Sequence, residues 1–300
     1  MNQQTNNNDP GFSRIALGMW RLNDWKLTPG QLLDFITRSM ELGLTTIDHA
    51  DIYGGYSCEE QFGRALSLNP SLRQKMLLVT KCGIKLVTSK HPEHAFHGYD
   101  TSKAHILKSV ENSLKNLSTD YLDVLLIHRP DPLMNADVVA TAFTDLKQSG
   151  KVRYFGVSNF TPFQFDLLQS RLNFPLVTNQ VEVSVLKMDM LHDGTLDQCQ
   201  QLRISPMAWS PFGGGELFSG NAEKAVRVRN ELQKIGKELG GKTVDQIALA
   251  WLLLHPSHIV PVLGTGNFER VKSAAAAVNI HLSRDQWFRI WTASNGYEVP

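Results

Sequence analysis

The chain has 300 residues, of which 42% are hydrophobic and 20% are charged, and its formal net charge is +1. This composition can form a large apolar core, and a charge near zero gives no long-range field to attract nucleic acid or an acidic membrane surface. The three cysteines have no CxxC spacing, which argues against a disulfide framework or a thiolate zinc site and favours a reducing, cytoplasmic compartment.

The amino-terminal segment is polar. Its first nine residues, MNQQTNNND, lack the basic run and the apolar stretch of a secretory signal. We therefore expect residues 1–10 to form a disordered polar lead and residues 11–300 to form one domain. The longest apolar candidate, 248–254, is far shorter than the roughly 18 residues that a membrane-spanning helix needs, so we expect no membrane partner.

Apolar segments along the chain predict eight strands separated by helices. The strands are predicted at 14–19, 44–48, 76–81, 121–128, 152–157, 176–180, 204–209 and 259–263. Helical spacing predicts helices from Pro29 to about Gly43, over 59–68, 103–117 and 137–149, from Thr161 onward, and over 223–239 and 244–254.

Strands that alternate with helices pair in parallel, and eight such units close into a (β/α)8 TIM barrel of the α/β class. The alternative is a doubly wound open sheet. That fold normally carries a glycine-rich dinucleotide fingerprint after its first strand, and this sequence has none there. We therefore predict a single-domain barrel.

Four polar residues fall at the carboxyl ends of predicted strands, where barrels of this kind build their active sites. Asp48 closes the second strand, Tyr53 follows in the next loop, Lys81 closes the third strand and His128 closes the fourth. Each residue alone has an ordinary structural explanation, such as a turn cap or a packed core histidine. Together they place, at one end of the predicted barrel, the residue types that can control a proton transfer.

The chemistry of these residues predicts Tyr53 as a proton donor. A phenol has a pKa of about 10, and a neighbouring ammonium from Lys81 would lower it. Asp48 would hold that ammonium through a charge-assisted contact, and His128 would donate a hydrogen bond to the substrate oxygen.

Segments in the same order along the chain carry a family resemblance. They are TTIDHADIYG, LLVTKCG, LLIHRPD, KVRYFGVSNF, TNQVEVS, MAWSPFGGGELFSG and VPVLGTGNFERV. On these segments the chain is identified as a bacterial member of the aldo-keto reductase family. The resemblance implies a catalytic tetrad of Asp48, Tyr53, Lys81 and His128, with Tyr53 as general acid in the NADP(H)-dependent reduction of aldehydes or ketones to alcohols.

The same resemblance implies a cofactor site. Ser158, Asn159 and Gln180 would bind the nicotinamide carboxamide, and Trp209 would stack on the nicotinamide face. The loop that would cover the pyrophosphate contains Ser210, Pro211, Phe212, Gly213, Gly214, Gly215 and Leu217. Glycines in such a loop let backbone amides approach phosphate oxygens.

The eighth segment departs from the family pattern. Gly264 stands where the family often has a lysine, whereas Thr265 and Arg270 match the residues around the adenosine 2'-phosphate, with Asn267 beside them. NADP(H) is therefore the expected cofactor and NAD(H) is the alternative. Arg270 also has an ordinary interpretation as a solvated charge on a helix.

Trp20 and Trp25 are candidate substrate-binding residues together with Tyr53 and His128, and the substrate is expected to be a small carbonyl compound. The short tail after Trp291 predicts an open pocket. A different class of function is a nucleotide-sensing regulatory or scaffold barrel with little turnover, similar to potassium-channel beta subunits. Neither the physiological substrate nor the oligomeric state follows from the sequence.

The loop KHPEHAFHGYD raises the question of a metal site. His91, His94 and His97 are evenly spaced, but no helical period places them on one face and Pro92 interrupts the run. The sequence therefore predicts no metal.

Overall fold

The computed structural model describes residues 10–299. The predicted polar lead, apart from Pro10, lies outside the described residues. None of the helices in this part of the chain is long and apolar enough to cross a membrane.

Each of the eight predicted strand segments overlaps an observed parallel strand, and three of these strands continue one or two residues past the predicted end. These are β1 (Ala16–Gly18), β2 (Thr46–Asp48), β3 (Leu77–Cys82), β6 (Leu122–Ile127), β7 (Val152–Ser158), β8 (Leu176–Glu182), β9 (Met207–Trp209) and β10 (Val260–Leu263). They form a closed barrel in the order β1, β10, β9, β8, β7, β6, β3, β2. A separate antiparallel pair consists of β4 (Ile84–Lys85) and β5 (Gly98–Tyr99). The predicted fold class is confirmed.

Helices follow most of the strands. In chain order they are α1 (Pro29–Glu41), α2 (Tyr53–Tyr56), α3 (Cys58–Leu66), α4 (Lys103–Asn116), α5 (Ala136–Gln148), α6 (Pro162–Gln169), α7 (Thr195–Leu202), α8 (Glu216–Ser219), α9 (Glu223–Glu238), α10 (Val244–Leu253), α11 (Phe268–Ala276) and α12 (Arg284–Asn295). No helix is predicted from the sequence at α2, α7, α8 or α12, and at α11 only Arg270 is interpreted as a residue on a helix. For α12 a signal exists, because Ser283 and Gln286 form a capping box at its start.

The chain divides into two compact units, with the boundary between Asn179 and Gln180. In the first unit, β1, β2, β3, β6 and β7 pair in parallel, so that Gly18 lies opposite Asp48 and Asp48 opposite Val79. Lys81 follows Val79 by two residues and therefore points to the same face of the sheet. This register brings the carboxyl ends of β2 and β3 together.

In the second unit, β9 pairs with β8 and β10, with Met207 opposite both Gln180 and Val260. Its apolar core includes stacked indole rings of Trp251 and Trp287, whose centroids are 4.8 Å apart. Each indole N–H donates to the backbone oxygen of the other tryptophan at 3.2 Å. These two bonds tie α12 to α10. The predicted limits of a single domain, 11–300, stay a prediction.

Gly63 permits close packing of α3 on the end of α4, because a Cβ at this position would overlap the carbonyl oxygen of Asn116. We expect Gly63→Ala to lower the free energy of unfolding by about 1–3 kcal/mol, since α4 has to shift. Gly30→Ala in α1 is the matched control, because its Cβ would meet nothing within 4 Å. The control should be neutral or stabilising by up to about 1 kcal/mol. Urea unfolding followed by circular dichroism measures both, and equal stabilities would contradict the packing argument.

Candidate active site

The structure brings the four predicted polar residues together in the first unit, around the ammonium of Lys81. Asp48 ends β2, Tyr53 begins α2, Lys81 lies in β3 and His128 directly follows β6. Lys81 Nζ donates to both carboxylate oxygens of Asp48 at 2.9 Å and to the hydroxyl oxygen of Tyr53 at 3.1 Å. A further bond, of 2.7 Å, goes to the backbone oxygen of His49.

Lys81 is charged although it is fully buried. Burial by itself would lower the pKa of Lys81, but the negative charge of Asp48 and the hydrogen bonds to Asp48 and Tyr53 raise the pKa above its ordinary value. Asp48 is only 2% exposed, so the two charges interact with little screening by solvent. The ammonium therefore has a defined place and a permanent charge.

Tyr53 keeps its proton at neutral pH. Burial raises the pKa of Tyr53, the charge of Lys81 opposes this change, and the charge of Asp48 adds to it, so that the pKa lies above its ordinary value. The prediction that Lys81 lowers the pKa is right for the contribution of Lys81 itself but wrong for the net direction, because desolvation of the phenolate outweighs the ammonium. Tyr53 is thus a neutral hydroxyl with a proton to give.

His128 lies beside Tyr53, with the two ring centroids 5.9 Å apart and the planes at 77°. Burial, followed by the charges of Lys81 and Arg129, lowers the pKa of His128 well below its ordinary value. The imidazole is therefore neutral and offers one N–H donor. Its Nδ1 atom is buried and has no hydrogen-bond partner among residues 10–299.

A tight turn positions Tyr53. Gly54 and Gly55 have φ angles of 60° and 61°, a region that residues with side chains rarely adopt. Asn23 donates from its side chain to the hydroxyl of Ser57 at 2.7 Å, which in turn donates to the carbonyl of Gly54 at 2.6 Å. A side chain at Gly54 would collide with both Asn23 and Ser57. The turn therefore depends on glycine at this position.

Two buried carboxyl groups near Lys81 were missed by the sequence analysis. Burial raises the pKa of Asp51 to about 8 and that of Glu59 to about 7, and the negative charge of Glu59 raises the pKa of Asp51 further. Ser109 donates a hydrogen bond to Asp51, and Thr80 donates to Glu59 at 2.6 Å. Asp51 lies within the quoted segment TTIDHADIYG, but the burial that favours its protonated form is a property of the folded chain.

The predicted nicotinamide residues of the first unit adjoin His128. Ser158 is the buried last residue of β7, and Asn159 follows it with a φ of 61°. The side-chain amide of Asn159 donates to the hydroxyl oxygen of Ser158 at 2.8 Å and approaches the backbone oxygen of His128 at 3.4 Å. This placement fits a group that binds a carboxamide beside the four polar residues.

In the second unit, the other predicted cofactor residues follow β8 and β9. Gln180 is buried in β8 and its amide lies 3.6 Å from the sulfur of Met207, while Trp209 ends β9 and is half-buried. The predicted pyrophosphate loop has consecutive φ angles of 58°, 66° and 109° at Gly213, Gly214 and Gly215. A Cβ at Gly214 or Gly215 would meet nothing within 4 Å, so this backbone is open to a ligand.

Several other residues of the predicted pyrophosphate loop contribute to its packing or to its backbone conformation. Pro211 and Leu217 are buried, and the ring of Phe212 packs at 5.2 Å from Phe218. Ser210 has a φ of 49° at the turn into the loop. These side chains support the loop, while its backbone is the part that suits phosphate oxygens.

The start of α11 contains the predicted 2'-phosphate residues. The side chain of Asn267 accepts hydrogen bonds from the backbone N–H groups of Glu269 and Arg270 and thus caps the helix. Thr265 accepts from the backbone N–H of Asn267 at 3.2 Å. Arg270 is exposed, and a Cβ at the exposed Gly264 would meet nothing within 4 Å. Asn267 therefore has a capping role, whereas the guanidinium of Arg270 has room for a phosphate.

The two tryptophans predicted to bind substrate differ in their surroundings. Trp20 is 57% exposed, with the guanidinium of Arg21 at 5.1 Å from its ring centroid. Trp25 packs edge-on against Phe35 in α1, at 5.4 Å between centroids. Trp20 thus presents an aromatic surface to solvent, whereas Trp25 packs on a helix.

The raised pKa values of Asp51 and Glu59 predict that stability falls with rising pH. An acid whose pKa is higher in the folded than in the unfolded state stabilises the fold below its unfolded pKa, and this stability is lost as pH rises through the folded pKa. The window runs from about pH 4 to about pH 8 for Asp51. Asp51→Asn, which mimics the neutral acid, should flatten the decline by about 4 kcal/mol between pH 5 and pH 9.

Urea unfolding at a series of pH values measures this decline. The exposed Asp120→Asn serves as the control and should keep the wild-type pH dependence. An Asp51→Asn variant with an unchanged slope would show that Asp51 is ionised in the folded protein.

Comparison with known proteins identifies the family. The model of the Aldo/keto reductase family matches residues 14–294. Oxidoreductase YdhF of Escherichia coli strain K12 is 55% identical, covering 97% of this chain and 96% of its own length. A 6-dehydroglucose reductase of Agrobacterium fabrum is 47% identical, with 96% of both chains covered.

Solved structures agree with this result. A Klebsiella pneumoniae aldo/keto reductase in complex with NADP and acetate has a TM-score of 0.77 and 27% identity, covering 96% of this chain and 93% of its own. A glycerol dehydrogenase from Gluconobacter oxydans has a TM-score of 0.83 and 25% identity, covering 95% and 92%. The match spans nearly the whole chain and includes all four polar residues around Lys81, and this protein therefore belongs to the aldo/keto reductase family.

Proposed function

We propose that this protein reduces an aldehyde or a ketone to an alcohol, with Tyr53 as the general acid. The observation that carries the proposal is the contact of 3.1 Å between the protonated hydroxyl of Tyr53 and the buried ammonium of Lys81. A proton donor must hold its proton before the reaction and lose it at low cost during the reaction. Burial meets the first condition and Lys81 meets the second.

The cofactor is NADP(H), and the described residues fit it. Ser158 and Asn159 place a hydroxyl and an amide next to His128, whose buried Nδ1 has no hydrogen-bond partner among residues 10–299. The glycine loop at 213–215 has the open backbone that a pyrophosphate needs. Bound NADPH supplies the hydride for the carbonyl carbon.

The protein's own residues then handle the carbonyl oxygen. The neutral imidazole of His128 donates a hydrogen bond to that oxygen and orients it. Tyr53 transfers its proton to the oxygen as negative charge develops there, which completes the alcohol. Lys81 stabilises the resulting phenolate, and Asp48 keeps Lys81 in place through two bonds of 2.9 Å. A proton from solvent restores the phenol.

For the substrate we propose a sugar-derived carbonyl compound. Two relatives, 47% and 36% identical to this chain, bear the name 6-dehydroglucose reductase, so 6-dehydroglucose comes first in a panel of aldehydes and ketones. Binding of NADPH without turnover of any member of the panel would instead favour the nucleotide-sensing function. The cytoplasmic location stays a prediction.

Tyr53→Phe removes the proton donor and leaves the ring in place. We expect kcat for carbonyl reduction to fall by a factor on the order of 100 or more, with the affinity for NADPH hardly changed. Tyr56→Phe is the matched control in the same turn, because the Tyr56 hydroxyl accepts a bond from the backbone of Leu86 and not from Lys81. Steady-state kinetics compare the three proteins, and near-parental turnover by Tyr53→Phe would show that another group is the acid.

Arg270→Met tests the preference for NADP(H) over NAD(H). A guanidinium holds a phosphate through directed, charge-assisted bonds, so its loss should weaken NADPH binding by about 10- to 100-fold and leave NADH nearly unaffected. Lys272→Met, an exposed cation on the same helix, is the control. Titration of both cofactors, followed by tryptophan fluorescence, measures the affinities. Equal losses for the two cofactors would mean that Arg270 does not contact the 2'-phosphate.

A further inference from the structure

The segment between β4 and β5, residues 86–97, contains a second cluster of polar side chains, which we call the histidine loop. Within it, the ligand atoms of His91, Glu93 and His94 all lie within 4.8 Å of one another. In the described part of the chain, this is the one group of three or more such residues close enough to hold a metal ion. The carbonyl-reducing chemistry uses none of the three.

Consecutive turns bring the cluster together. The backbone N–H of His91 donates to the carbonyl of Thr88 at 3.1 Å, and that of His94 donates to the carbonyl of His91 at 3.2 Å. The sequence predicts no metal here because Pro92 interrupts any helix that could place the histidines on one face. Two turns bring His91 and His94 together without a helix, and Glu93 joins them whereas His97 does not.

The hydrogen bond of His94 suits a metal ligand. Its Nδ1 lies 2.9 Å from the backbone oxygen of Leu86. A carbonyl oxygen only accepts hydrogen bonds, so Nδ1 is the donor and Nε2 is the nitrogen that a metal ion could bind. Metal-binding histidines are commonly oriented by such a bond from the other ring nitrogen to a backbone carbonyl.

Glu93 provides an oxygen between the two rings. Its Oε1 atom lies 3.0 Å from His91 Nδ1 and 3.9 Å from His94 Nε2. Ligands around a tetrahedral ion with bonds of about 2.0–2.2 Å are roughly 3.3–3.6 Å apart, close to these separations. On coordination one imidazole would turn out of the stack, because the lone pairs of parallel rings do not meet at one ion, and the metal would replace the hydrogen bond between His91 Nδ1 and Glu93. Lys90, the nearby cation in the sequence, is paired with Glu60 at 3.0 Å.

Packing on Tyr56 holds the two imidazoles in position. The rings of His91 and His94 are stacked, with centroids 4.8 Å apart and planes within 6°, and the ring of Tyr56 lies 4.3 Å from His91. The Tyr56 hydroxyl also accepts a bond of 2.9 Å from the backbone of Leu86. The histidine loop therefore rests on the turn that begins with Tyr53.

We propose that His91, Glu93 and His94 bind one divalent transition-metal ion of the Zn²⁺ type, with water completing the coordination. Two neutral imidazoles and one carboxylate form a ligand set that suits this borderline ion. The bound ion would cross-link residues of the histidine loop where they pack on Tyr56. It would thereby stabilise the turn that carries Tyr53.

The test is isothermal titration calorimetry of the untagged, chelator-treated full chain with Zn²⁺ alone. We expect one ion per chain. Loss of a ligand should cost at least as much as loss of an outer-shell partner, so His94→Gln and His91→Gln should bind Zn²⁺ about tenfold or more weakly. His97→Gln, in the same loop but outside the cluster, should bind like the wild type.

Thermal unfolding gives an independent readout, because an ion that binds only the folded state raises Tm. Zn²⁺ should raise Tm of the wild type and of His97→Gln but not of His94→Gln. If either histidine variant unfolds without metal, Glu93→Gln replaces it, since this exposed side chain keeps its shape as an amide. The proposal is overturned if the wild type does not bind Zn²⁺ below about 1 mM, or if the variants of the cluster bind it as tightly as the wild type.

Discussion

The buried ion pair between Lys81 and Asp48 is the interaction on which the arrangement of the candidate site depends. An ammonium removed from water is costly unless an opposite charge and further acceptors surround it. Lys81 meets two carboxylate oxygens, a backbone carbonyl and a phenol. Loss of one partner of such a pair leaves an uncompensated buried charge, at a cost of about 3–5 kcal/mol. The pair therefore constrains the ends of β2 and β3 and also the position of Tyr53.

Around the ion pair of Lys81 and Asp48, burial favours the neutral forms of four other titratable groups, Tyr53, His128, Asp51 and Glu59. Tyr53 and His128 are neutral because desolvation disfavours the phenolate and the imidazolium, and Asp51 and Glu59 hold protons to higher pH than exposed acids do. A site of this kind has a proton donor and a hydrogen-bond donor in the forms that carbonyl reduction requires. The exclusion of water that favours these neutral forms also strengthens the attraction between Lys81 and the negative charge that develops on Tyr53 as its proton leaves.

Tyr53 also links the two clusters of the first unit. On one side its hydroxyl contacts Lys81, and three residues later Tyr56 supports the stacked rings of His91 and His94. The connecting turn relies on Gly54 and Gly55 with left-handed φ angles. A short backbone segment thus joins the proton donor to the histidine loop, so that order in the loop bears on the position of the donor.

The sequence by itself determined the order of the eight strands and the identity of the four polar residues at their ends. Apolar runs of strand length are local features, and parallel pairing places strand ends together whatever the loops do, so Asp48, Lys81 and His128 could be assigned from their positions alone. Short helices such as α2 and α8 were not predictable in this way, because they lack a hydrophobic period and depend on glycine turns.

Only the tertiary structure decided the protonation states in the candidate site and which side chains of the histidine loop lie together. The net pKa of Tyr53 depends on how completely atoms from separate elements exclude water. The pKa of Asp51 is raised because burial outweighs the hydrogen bond from Ser109, which by itself would lower it. The cluster of His91, Glu93 and His94 depends on two backbone turns that the spacing of the histidines did not reveal. Desolvation is a sum over neighbours distant in the chain, and the local turns depend on backbone angles that the spacing of the histidines does not specify, so both are decided only when the chain is folded.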